Sequence, residues 1–169
     1  MVSISSPDAT FPRDQSGCRA IRRHRQATAP RTRLDEHLAR HALADLFLDT
    51  LPYNAHTTAS DALNMGVPVL TTPGETFASR VAASQLRTAG LSELIVPSLA
   101  EYEALALKLA RDPDALGTVR AKLEKAHETA PLFDTARYTR HLEAAFTQMV
   151  ERFRQGAMPG PITVAPLAS

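Results

Sequence analysis

The stretch DLFLDTLPYNAHTTASDALNMGVPVLTTPG, residues 45–74, constrains the fold more than any other part of the chain. Leu46 to Asp49 reads as a short buried strand, and a loop leads from it to a helix opening at His56, Thr57 and Thr58. Val67 to Leu70 reads as a second buried strand, closed by the Pro73-Gly74 turn. Uninterrupted apolar runs bounded by turn residues suit parallel strands covered on both faces, whereas strands of a half-exposed antiparallel sheet alternate. The pattern is therefore a βαβ unit. Ligands of such sheets sit beyond the carboxyl ends of the strands, where a helix N-terminus offers free N–H groups and a partial positive charge. His56, Thr57 and Thr58 fall at that place.

Two readings fit this helix start. In the first, Thr57 or Thr58 caps the helix by accepting a backbone N–H, and Asp61 completes a capping box relative to Thr58. In the second, the same residues bind an anion: Thr57, Thr58 and Asp61 share one side of the first turn. A diphosphate there meets amides and hydroxyls while Asp61 reaches a ribose hydroxyl. The cap accounts for the hydroxyls but gives no reason for His56. Spacing alone leaves both open.

The flanks extend an α/β reading. Asp35 is placed to cap a helix over Glu36 to His41, with His37 and Arg40 on one face. Beyond Gly74, Glu75-Thr76 are expected to open a helix over FASRVAASQLRTAG that buries Phe77, Val81, Ala82 and Leu86 and stops at Gly90. Glu75 lies in its first turn, a position that suits dipole compensation before catalysis. Glu93 to Val96 reads as a third strand. Three helices follow: Leu99 to Arg111, one started by Asp112-Pro113 and running to about His127, and a long one capped by Asp134 and ending near Gly156. The last carries a stripe of Leu142, Ala145, Phe146, Met149, Val150 and Phe153.

Composition narrows the classes. With 44% apolar and 22% charged residues in 169, one soluble domain with a real core is expected. No apolar run approaches the roughly 20 residues of a membrane span, and no secretory signal marks the start, so the cytoplasm is the default compartment. One cysteine, Cys18, excludes an internal disulfide. Residues 1–33 hold seven Arg against two Asp and three prolines without sustained periodicity, which reads as a disordered basic leader. An arm for nucleic acid is disfavoured, because no aromatic platform or recognition helix accompanies RAIRRHR. Residues 157–169, with three prolines, read as a flexible tail. GxGxxG, GxxxxGK[ST] and GxSxG are all missing. His37 and His41 stand four apart, but without the HExxH glutamate or nearby cysteines the pattern argues against a zinc site.

The run DEHLARHALADLFLDTLPYNAHTTASDALNMGVPVLTTPGETFASRVAASQL, continued by SELIVPSLAEYEALALKLA and PLFDTARYTRHLE, resembles the C-terminal part of the O-linked N-acetylglucosamine transferase (SPINDLY-like) family. The likeness covers about residues 34–156. It implies the second, donor-binding Rossmann-like domain of a GT-B glycosyltransferase, with helices on both faces of a parallel sheet and a helical C-terminal segment. It further implies transfer of N-acetylglucosamine from UDP to protein Ser/Thr hydroxyls with no cofactor and no metal. By the same likeness His37 and Arg40 belong near the uracil, His56, Thr57 and Thr58 at the diphosphate, and Asp61 at the ribose. Residues 1–33 read as unrelated to the family, and the upstream lysine and glutamine, the first domain and its acceptor-side histidines have no counterpart here. No catalytic residue is therefore assigned within the chain, which reads as a fragment inactive alone. Its expected partners are a UDP-sugar, an acceptor protein, and either a second copy or the absent half against the last helix. The alternative is a degenerate interaction module that keeps the fold.

Overall fold

The computed structural model describes residues 30–166. The leader expected for residues 1–33 therefore lies almost wholly outside the described residues. Helix α1 spans Leu34–His41, strand β1 Phe47–Leu48, α2 Thr57–Asn64, β2 Val69–Leu70 and α3 Val81–Thr88. A 3-10 turn at Ser92–Leu94 leads to α4 (Leu99–Arg111) and α5 (Pro113–Thr129), and a second turn at Pro131–Phe133 leads to α6 (Thr135–Arg154).

β1 and β2 pair in parallel, Phe47 opposite Val69 and Leu48 opposite Leu70, with α2 as the crossover. The expected βαβ unit is present. Its strands are short because the ladder extends only through single bonds, Phe47 N–H to Pro68 O at 2.8 Å and Asp49 N–H to Leu70 O at 3.0 Å. The strand expected at Glu93 to Val96 reduces to one parallel bridge between Thr71 and Ile95. The Leu94 and Ile95 amides turn inward to Leu91 and Ser92 carbonyls, closing the 3-10 turn and leaving little to extend a ladder.

Two helix starts differ from expectation. α1 begins at Leu34 with Arg33 at the N-cap position, so Asp35 lies inside the first turn, paired with Arg33 at 3.3 Å, and caps nothing. α3 begins at Val81 and not at Glu75-Thr76. Ser79 N–H donates to Thr76 Oγ1 at 3.2 Å and Ser79 Oγ donates to Thr76 O at 2.9 Å. These local bonds offer the backbone a turn in place of a helical ladder. A Cβ at Gly74 would stand 2.7 Å from Ser79 Oγ, so the turn also requires a glycine there. Phe77, expected inside, is consequently 77% exposed, while Ala82 and Leu86 are fully buried.

The helix ends follow the sequence closely. Gly90, at φ 76°, terminates α3 with Leu91 N–H reaching Leu86 O at 2.8 Å and Gly90 N–H reaching Arg87 O at 3.1 Å. That pair of bonds satisfies the carbonyls a helix end leaves free, and only glycine adopts the required backbone without strain. Asp112 and Asp134 accept from Ala115 N–H and Arg137 N–H, capping α5 and α6 as expected. The core gathers Leu63, Leu70, Leu86, Leu91, Leu94 and Leu123, all with no more than 1% exposed. Each such leucine contributes about 1.5–3 kcal/mol over its exposed state. α5 is fastened across the unit by Arg120 to Ala44 O at 2.8 Å and by His127 to Leu63 O at 2.8 Å.

α6 has no buried residue. Phe146, Met149, Val150 and Phe153, expected as a stripe, face solvent at 54%, 52%, 47% and 82% exposure. Residues 157–166 form neither helix nor strand, and Arg152 Nε ties Met158 O to α6 at 2.7 Å.

At the carboxyl end of the sheet lies a buried polar network around Asp49, which is 4% exposed. One carboxylate oxygen accepts Thr71 Oγ1 and Asn54 Nδ2, each at 2.7 Å, and the other accepts Ala55 N–H at 2.7 Å. Tyr102 from α4 donates its hydroxyl to the Asp49 carbonyl at 2.8 Å. Truncating Asp49 leaves the Thr71 hydroxyl and the Ala55 amide without their acceptor and strips Asn54 Nδ2 of its shortest bond, leaving it only Thr71 Oγ1 and Thr72 O at 3.3 Å. Asp49→Ala is expected to lower unfolding stability by about 3 kcal/mol in urea titration, against less than about 0.5 kcal/mol for the exposed Asp35→Ala. Equal effects would contradict the network's role.

Burial, assisted by the Asp49 charge, pushes the Tyr102 hydroxyl up to about 12 from its ordinary 10.0. The folded chain holds this proton more tightly than the unfolded chain. The associated stability is complete below pH 10 and is lost as pH rises through about 12. Tyr102→Phe is expected to flatten that alkaline loss and to remove the corresponding tyrosinate absorbance step.

Candidate functional site

The Asp49 network decides where the loop between β1 and α2 runs. By gripping Asn54 and the Ala55 amide, the carboxylate delivers His56 to the head of α2 at the carboxyl end of the two parallel strands. His56 occupies the N-cap position with φ −114° and ψ −90°, and no side chain caps the helix. The capping reading of Thr57 and Thr58 is therefore overturned: both lie inside the first turn, exposed, and neither hydroxyl folds back onto the backbone. With the cap position filled by an imidazole, the N-terminal amides keep their capacity for an external acceptor.

His56 is held from three sides. Its Nε2 lies 3.0 Å from Ala78 O, which fixes the proton on that nitrogen and leaves Nδ1 as the remaining ring atom. Tyr53 stacks on the ring at 5.3 Å between centroids and 18° between planes, and Phe77 meets it edge-on at 6.0 Å. Gln85 Nε2 donates to the His56 carbonyl at 3.3 Å. The exposure of Phe77, costly for a core residue, has its counterpart in this aromatic wall.

A second cluster joins α1 to α2. Arg40 Nη2 donates to His37 Nδ1 at 3.2 Å, and Arg40 Nη1 to Pro30 O at 3.0 Å. His37 Nε2 and His41 Nε2 stand 3.3 Å apart, their rings edge to face. One ligand atom from each of His37, His41 and Asp61 lies within 4.8 Å of the others. Burial, with the neighbouring His37, holds His41 below its ordinary 6.5, while Asp61 acts in the opposite direction. Asp61 lies one helical turn beyond Thr57 and Thr58 and so joins the two clusters along one face of α2. The structure thus brings together His37, Arg40 and Asp61 on one side and His56, Thr57 and Thr58 on the other, around the head of a single helix.

Four contributors escaped the sequence reading: His41, Tyr53, Gln85 and the buried pair Asp49–Asn54. His41 carried a signal in its spacing to His37. The others carried none, because Tyr53 and Asn54 sit in a loop whose path only tertiary hydrogen bonds define, and Gln85 belongs to a helix read for its small buried residues.

The sequence model of glycosyl transferase family 41 matches residues 14–142, beginning inside the Arg-rich stretch. A UDP-N-acetylglucosamine--peptide N-acetylglucosaminyltransferase of Caenorhabditis elegans is 42% identical over 122 residues, 72% of this chain and 11% of that protein. The probable transferase SEC of Arabidopsis thaliana is 42% identical over 125 residues, 73% of this chain and 13% of that protein. A mutant O-GlcNAc transferase of Thermobaculum terrenum is similar in structure with a TM-score of 0.68 at 38% identity, covering 75% of this chain and 24% of the other. This chain spans about an eighth of the length of these curated relatives. The family model matches well over half of the chain, and the chain belongs to glycosyl transferase family 41.

Proposed function

We propose that this chain is the nucleotide-binding part of a transferase that moves N-acetylglucosamine from UDP to Ser or Thr hydroxyls of proteins. The observation that carries the reading is the uncapped head of α2, where exposed Thr57 and Thr58 and a clamped His56 face outward at the carboxyl end of parallel strands. A diphosphate there accepts from the helix amides, the two hydroxyls and, when protonated, His56 Nδ1; the helix dipole favours the charge that grows on departing UDP. Asp61 accepts a ribose hydroxyl, and His37 with Arg40 reads the uracil edge. The names of the relatives, all UDP-N-acetylglucosamine–peptide transferases, support this donor and acceptor.

The reading makes UDP, and not the sugar, the part of the donor that these residues grip. His56→Ala and Thr58→Ala are each expected to weaken UDP binding by about 1–3 kcal/mol in calorimetry, the cost of a lost charge-assisted hydrogen bond. Unchanged affinity in both variants would refute the assignment.

Transfer also needs the acceptor hydroxyl held against the donor carbon, a positioning effect worth roughly 7–11 kcal/mol of barrier. None of the residues around α2 offers such a second wall. The exposed face of α6, carrying Phe146, Met149, Val150 and Phe153, is the surface through which further protein or a second copy joins. The isolated chain mixed with UDP-N-acetylglucosamine and a Ser/Thr-rich acceptor is expected to leave the acceptor unmodified by mass spectrometry. Product that vanishes with Asp61→Ala would show the chain to be an enzyme by itself.

A further inference from the structure

We propose that His37, His41 and Asp61 form a binding site for one divalent transition-metal ion of the zinc class. The three side chains come from two helices, α1 and α2, and one ligand atom of each lies within 4.8 Å of the other two. The two Nε2 atoms stand 3.3 Å apart. Two nitrogens bound to tetrahedral zinc at about 2.0–2.1 Å are separated by about 3.3–3.4 Å, so the imidazole pair already spans the edge of that tetrahedron. Spacing of four on one helix and a carboxylate from the next give two neutral nitrogens and one hard oxygen, a donor set suited to zinc, cobalt or nickel and poorly suited to calcium or magnesium. A fourth position is left for water or another ligand.

Burial fits the same assignment, and the resting tautomers define what must change for an ion to enter. His41 is 2% exposed, while His37 and Asp61 are half-buried, so the pair is shielded yet reachable. Arg40 donates to His37 Nδ1, which puts the His37 proton on Nε2, from where it is shared with His41 Nε2. His41 then carries its own proton on Nδ1, a buried atom with no protein partner, and its Nε2 lone pair is the acceptor. Metal binding requires two linked changes: the proton between the rings leaves Nε2 of His37 and Nδ1 of that ring becomes protonated, and Nδ1 then no longer accepts from Arg40. Arg40 gives up His37 and keeps Pro30 O. Asp61 balances the charge that the ion adds beside Arg40.

His37 and Asp61 also belong to the proposed nucleotide site, whereas His41 does not. A bound ion therefore competes with UDP, and His41 separates the two readings. The test titrates Zn2+ into the full chain, first freed of metal with a chelator, by calorimetry, and reads Co2+ loading from its ligand-field absorption. One ion per chain is expected. Asp61→Asn and His41→Gln are each expected to weaken binding by at least about 10-fold, with folding checked by circular dichroism, and Cys18→Ser and His24→Gln to leave it unchanged. X-ray absorption is expected to report two imidazole nitrogens at about 2.0–2.1 Å. No saturable binding, binding that persists in Asp61→Asn and His41→Gln, or binding lost with Cys18→Ser would overturn the site. UDP affinity that survives in His41→Gln while metal binding is lost supports the metal assignment independently; UDP affinity that is intact while the wild-type chain takes up no metal overturns the metal site and leaves the nucleotide reading standing.

Discussion

A single buried carboxylate orders the functional end of this molecule. Asp49 ends the first strand, accepts three short hydrogen bonds from Thr71, Asn54 and the Ala55 amide, and has its own carbonyl held by Tyr102. A charge so deeply buried is tolerated only when its lone pairs are satisfied. Satisfying them fixes the end of β2, the path of the following loop and the docking of α4 in one arrangement. His56 owes its place at the head of α2 to that arrangement. The β1–β2 pairing supplies the platform, but two residues per strand do not orient a loop of this length.

The head of α2 then works by what it lacks. Most helices spend their first amides on a Ser, Thr, Asp or Asn cap. Here an imidazole held by Ala78, Tyr53 and Phe77 fills the cap position, and the two threonines beside it stay turned outward. Leaving amides uncapped sacrifices about 1 kcal/mol of helix stability. The gain is a concentration of donors and positive dipole at a strand end, with His37, Arg40 and Asp61 along the adjoining face.

Much of this was legible in the sequence where local rules dominate. The apolar runs around Leu46 and Val69 gave the parallel pair, Gly90 the end of α3, and Asp112 and Asp134 the caps of α5 and α6. Errors came where two local rules competed. Thr76 and Ser79 are good first-turn residues, yet their mutual bonds made a turn and delayed α3 to Val81. The apolar run before Pro97 suited a strand, but the 3-10 turn took its amides. Six site residues were named from pattern and family likeness, and they assemble around one helix head. His41 was noticed for its spacing to His37 but set aside, and Tyr53 and Gln85 were not found, since the loop path and the 29-residue separation that bring them to His56 follow no period. The exposed stripe of α6 obeys the amphipathic rule but has no inner partner within residues 30–166, so periodicity gave the helix without giving its contacts.

The central claim is that the amides at the head of α2 bind the diphosphate of a uridine nucleotide. Amide-resolved NMR of the full chain during a UDP titration tests it most directly. The account predicts saturable shifts of the Thr57, Thr58 and Ala59 amides together with the His37 and His56 ring signals, while amides along α6 such as Phe146 and Val150 stay in place. Saturable shifts confined to α6, or none at the head of α2, would contradict it.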